Sequence, residues 1–125
     1  MKPILTLLAA LVMAPLFITT GALAHGPNRG PNGGQQVDAG DYHVEMVAKD
    51  TALTVYLHDD KDKPVDAKGS KATGIFVVGG KPQRIELKVD SANRLTGTSS
   101  VPLPATLKGA VQITLPNGKT VQAKF

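Results

Sequence analysis

The chain has 125 residues, a net charge of +4 at neutral pH, and neither cysteine nor tryptophan. The lack of cysteine excludes disulfides, thiolate metal sites and cysteine nucleophiles. The basic residues are scattered singly and only 4% of residues are aromatic, so the basic stripe with interleaved aromatics of a nucleic-acid interface is missing.

The chain opens MKPILTLLAALVMAPLFITTGALA, with one cation (Lys2), an apolar run from Ile4 to Ile18, and the small-residue site Ala22-Leu23-Ala24. That order is the one of a secretory signal peptide, residues 1–24, cut after Ala24. An uncleaved membrane anchor fits less well, because the run is short, Pro15 interrupts it and no basic cluster follows. No cysteine follows for lipid attachment and there is no twin arginine, so the general secretory route to a Gram-negative periplasm is expected. What remains, roughly 100 residues, suffices for one small domain.

Residues 25–40 begin HGPNRGPNGGQQ, rich in Gly, Pro and Asn, with GPN at Gly26 and again at Gly30. This stretch has little apolar surface to offset its ordering entropy, and a flexible arm is expected.

From Asp41 the pattern turns to period two, the signature of strands buried on one face. Predicted strands cover Tyr42–Ala48, Leu53–Leu57, Ala72–Val78, Arg84–Asp90, Leu95–Ser99, Leu107–Leu115 and Thr120–Phe125. Turn signals separate them at Asp50-Thr51, Lys63-Pro64, Gly79-Gly80, Ser91-Ala92-Asn93 and Pro116-Asn117-Gly118. The prolines of Val101-Pro102-Leu103-Pro104 keep that segment out of any central strand. About seven short strands without a helical stripe predict an all-β domain over 41–125, a small antiparallel β-sandwich of immunoglobulin-like type.

The three histidines, His25, His43 and His58, fall early in the chain. Apolar faces on the first two strands must point the same way, since a one-residue slip inverts a strand. Met46 opposite Val55 and Val44 opposite Leu57 satisfy this, with Asp50-Thr51 as a two-residue loop. The same register sets Glu45 opposite Tyr56 and His43 opposite His58, with Cβ atoms about 5 Å apart. Two imidazoles so placed are near enough to share a metal ion, although a solvated cross-strand pair has the same sequence pattern.

Cleavage after Ala24 would give His25 a free α-amine. Amine and imidazole together chelate one metal, and a further histidine would complete a three-nitrogen brace suited to Cu(II). Met46 is the only methionine beyond the leader and points inward by the pattern. Nitrogen-rich ligands therefore favour Cu(II), with Zn(II) or Ni(II) next, over Cu(I). The acidic run Asp59-Asp60-Lys61-Asp62 lacks the glycine and terminal glutamate of a calcium loop and reads as a charged turn. Neither GxSxG, HExxH nor a phosphate-binding glycine loop occurs, so a binding protein is expected and not an enzyme.

The start HGPNRGPNGG, the strand YHVEMV and the strand LTVYLHDDKDKPV together resemble a group of small proteobacterial periplasmic proteins. They are similar also to the extra N-terminal segments of periplasmic adaptor subunits of heavy-metal efflux pumps. The resemblance covers residues 25–67 and implies a β-sandwich tied to the handling of copper, zinc or related metals. It carries His25, His43, Glu45 and His58 over as site residues, and implies an efflux-pump component as partner. A second histidine expected in the glycine-rich start is absent, with Asn28 and Asn32 there. The expectation is a periplasmic accessory protein that buffers or delivers a divalent metal, linked to efflux or resistance. The competing expectation is a non-catalytic envelope interaction domain without metal.

Overall fold

The computed structural model describes residues 29–125. The expected signal peptide over residues 1–24, His25 and the first residues of the expected arm lie outside them. Eight strands follow in order: β1 Gln35–Ala39, β2 Tyr42–Lys49, β3 Ala52–Asp59, β4 Lys71–Val78, β5 Lys81–Ser91, β6 Arg94–Thr98, β7 Lys108–Thr114 and β8 Thr120–Lys124. The fold is all-β, as its period-two pattern requires, and β2 to β8 are the seven expected strands with ends moved by a few residues.

Two expectations are corrected. The strands form one antiparallel sheet in the order β1-β2-β3-β6-β5-β4-β7-β8, and β1 returns to lie against β8. The result is a nearly closed, barrel-like sheet instead of two stacked sheets. Alternating apolar residues serve either arrangement equally, because both bury one face of every strand. Part of the predicted arm is itself a strand: residues 35–39 pair with β2 in the register Gln35↔Met46 to Ala39↔Tyr42.

Inward side chains from all parts of the sheet fill the interior, among them Val44, Met46, Leu53, Val55, Leu57, Phe76, Ile85, Leu95, Val111 and Ile113, each at most 2% exposed. The connections β3–β4 and β6–β7 cross the two ends of the barrel and plug them. Ala67, from the first, is fully buried, as is Leu107 from the second. Their backbones are tied down by Val65 N donating to Leu57 O at 3.0 Å and Leu103 N donating to Asp50 O at 2.7 Å.

Closure between β1 and the β7–β8 hairpin uses a side chain. Pairing of β7 with the end of β8 reaches Gly109, whose N–H donates to Phe125 O at 3.2 Å. Leu107, two residues earlier, instead meets the Gln35 amide. Its N–H donates to Gln35 Oε1 at 3.0 Å, and Gln35 Nε2 donates to Leu107 O at 3.3 Å. One glutamine thus replaces a rung of the ladder.

Candidate metal centre

The β2–β3 pairing has the predicted register throughout: Met46↔Val55, Val44↔Leu57, Glu45↔Tyr56 and His43↔His58, with Asp50-Thr51 as the two-residue loop. Asp50 adopts φ 55°, a left-handed conformation that aspartate tolerates better than most residues. Because β1 pairs Asp38 with His43, a single row Asp38–His43–His58 runs across three strands on the outer wall.

His43 keeps 22% side-chain exposure and meets a carboxylate at each ring nitrogen. Nδ1 is 2.6 Å from Asp62 Oδ1, and Nε2 is 3.2 Å from Asp38 Oδ1. The Asp62 hydrogen bond chiefly raises the His43 pKa, with the charges of Asp62, Asp38 and Asp60 adding and partial burial opposing. Two flanking carboxylates favour the doubly protonated ring, in which both nitrogens donate. Reciprocally, the His43 hydrogen bond above all lowers the Asp62 pKa against its desolvation, assisted by Gln36 and by the charges of His43 and His58. Gln36 Nε2 donates to Asp62 Oδ1 at 3.2 Å.

The loop after β3 carries Asp62 to this place. Asp59 Oδ1 accepts from Lys61 N at 2.8 Å and Lys63 N at 2.9 Å. Asp62 N donates to Asp59 O at 3.1 Å. These backbone N–H groups, Lys63 first, lower the Asp59 pKa together with the charges of the two lysines, against desolvation. The run is thus a tight charged turn. Pro64 then forms a bridge to His58, and His58 is only 4% exposed. Its Nδ1 is buried without a hydrogen-bond partner, an unusual condition for a buried polar atom.

Glu45 is placed differently from the histidines. It is fully buried, and its carboxyl group is enclosed by the turn that precedes β1. Oε2 accepts from Asn32 N and Gly34 N, each at 2.9 Å, and Oε1 accepts from Asn32 Nδ2 at 2.9 Å. Its oxygens hold the GPNGG segment against β2.

The structure therefore brings His43 and His58 together and surrounds His43 with Asp38, which no sequence motif marked, and Asp62, which read only as part of a charged turn. Asp38 lacked a signal because β1 was read as arm. Asp62 had one: it lies four residues after His58, in a loop that must turn back beside β3. Among the described residues, no three His, Asp or Glu side chains are already posed to hold one metal ion, so an ion here needs side-chain rotation. No protein-family model, curated protein or solved structure matches the chain.

Proposed function

We propose that this chain is an exported accessory protein that buffers or passes a divalent transition metal, Cu(II) before Zn(II), on the outer wall of β1–β3. The observation that carries this reading is the row Asp38–His43–His58, together with the unpartnered Nδ1 of His58. Carboxylates that favour a proton on His43 favour a metal cation at the same place. His43 and His58 would supply imidazole nitrogen, and Asp38 or Asp62 an oxygen or a hydrogen bond that orients His43. Glu45 acts at one remove, by fixing the segment that leads back to His25.

That anchoring shortens the arm without removing His25 from reach. Gly30 abuts the Glu45 side chain, and His43 lies two residues further along the same face of β2, about 7 Å away. His25 is five residues before Gly30, an extended reach of about 17 Å. A mature chain starting at His25 could therefore bring its amine and ring to His43 and complete a nitrogen-rich Cu(II) site.

The test is titration calorimetry with Cu(II) and with Zn(II) on the exported chain, its start established by intact mass. Binding tighter than about 100 µM, weakened by His43→Ala and by His58→Ala, supports the reading. Weaker binding, or binding that both variants retain, rejects it.

A further inference from the structure

We infer that the opposite wall of the barrel, formed by β4, β5, β7 and β8, docks on an anionic lipid surface. Ile75 and Val77, at 50% and 58% exposure, are the large hydrophobic side chains left in solvent among the described residues. They occupy successive outward positions of β4, about 7 Å apart. Pairing gives each of them basic neighbours. Val77 lies between Lys108 of β7 and Pro82 of β5. Ile75 lies between Ala110 and Arg84, with Lys124 of β8 beyond Ala110.

These two rows, Lys108–Val77–Pro82 and Lys124–Ala110–Ile75–Arg84, contain no acid and span about 14 Å across four strands. The next row holds Glu86, which is engaged by Arg84 Nε at 3.0 Å and by Thr73 Oγ1 at 3.2 Å. One row further, Lys71 and Lys88 stand directly opposite each other, a like-charge arrangement that costs stability unless an anion relieves it. The acids gather on the other side of the molecule, on or beside β1–β3, at Asp38, Asp41, Asp59, Asp60, Asp62 and Asp66. Lys49, Lys61 and Lys63 stand among those acids, so the excess of positive charge lies on the side of β4, β5, β7 and β8.

The chemistry of the basic wall favours a bilayer over a protein partner. Protein hot spots centre on aromatic side chains seated in desolvated pockets, and the large apolar groups this wall exposes are two aliphatic side chains. An anionic bilayer requires only basic side chains near the headgroups and a few apolar groups reaching the acyl boundary. Lysine stems beside Ile75 and Val77 can lie along the surface while their ammonium groups meet phosphates.

The experiment is co-sedimentation of the exported chain with phosphatidylcholine vesicles containing one quarter phosphatidylglycerol, beside vesicles of phosphatidylcholine alone. Binding is expected to the anionic vesicles only, and to fall with added salt. Ile75→Thr/Val77→Thr and Lys108→Glu/Lys124→Glu should each lower it by about tenfold or more. All four positions face outward, so an unchanged thermal transition will show that the fold is kept. His43→Ala and His58→Ala should sediment as the parent does, which separates this inference from the metal reading. Absence of binding to anionic vesicles, or unaltered binding by both double variants, overturns it. So does a reversible dimer in sedimentation velocity that Ile75→Thr/Val77→Thr abolishes, since the wall would then be covered by a second copy.

Discussion

Gly30 lies against the carboxyl carbon of Glu45, so close that a Cβ on the glycine would overlap it. The buried carboxyl group is otherwise surrounded by the N–H groups of Asn32 and Gly34. Glu45→Gln keeps one acceptor but turns an amide donor toward those donors, and should cost about 1–3 kcal/mol. Glu45→Ala orphans all of them and leaves a void, at about 2–4 kcal/mol. Gly30→Ala should cost about 1–3 kcal/mol by overpacking. Urea unfolding measures each, and hydrogen exchange at Asn32 and Gly34 should quicken in the glutamine variant. A Glu45 that served only as a metal ligand would leave apo stability and exchange unaltered.

The His43–Asp62 contact makes stability depend on pH in a stated direction. His43 has a raised pKa when folded, so its contribution is complete below the unfolded value, about 6.5, and is lost as pH rises through the folded one. Asp62 has a lowered pKa, so its contribution is complete above about 3.9 and is lost as pH falls through the folded value. The pair therefore stabilises most between about pH 4 and 6.5. Melting temperatures recorded from pH 4 to 8 should show a decline above this window in the parent. Asp62→Asn should flatten that decline, and an identical slope in both proteins would exclude the pair as its source.

The hairpin that sets His43 beside His58 was legible in the sequence because one buried face over-determines register. Val44, Met46, Val55 and Leu57 cannot all point inward in any neighbouring alignment. The strand β1 was not legible: in Gln35-Gln36-Val37-Asp38-Ala39 the inward positions hold a glutamine, a valine and an alanine, so only one large apolar side chain marks the alternation. Its role depends on Gln35 meeting Leu107, 72 residues away, which no local pattern encodes. Asp38 was hidden with β1, whereas Asp62 stood in view in the acidic run and read only as part of a charged turn, because its place beside His43 is set by backbone bonds to Asp59. The choice between a closed sheet and two stacked sheets was equally hidden, since it lies in which strands are neighbours.

Gln35 offers a direct probe of that closure. Gln35→Ala leaves the N–H and C=O of the buried Leu107 without their partners, at a cost of about 1–3 kcal/mol. Gln35→Glu retains the acceptor for Leu107 N–H, yet sets a carboxyl oxygen where an N–H had faced Leu107 O. It should therefore be no more stable than the alanine variant, despite its closer shape. Denaturant midpoints rank the two, and faster exchange at the Leu107 amide in Gln35→Ala would locate the loss at the seam.

His58 separates a metal ligand from a packing residue. Its Nδ1 has no hydrogen-bond partner to lose, so His58→Leu should alter apo stability by no more than about 1 kcal/mol. The same change should weaken Cu(II) and Zn(II) binding at least about tenfold, since each needs the imidazole nitrogen. Metal competes with protons for the His43 ring, whose pKa the Asp62 hydrogen bond and the neighbouring carboxylates raise, so affinity should rise from pH 5.5 to 7.5 with measurable proton release. Calorimetry in two buffers of different ionisation enthalpy counts those protons. Full metal affinity in His58→Leu, with no proton released on binding, would place any bound metal elsewhere in the chain.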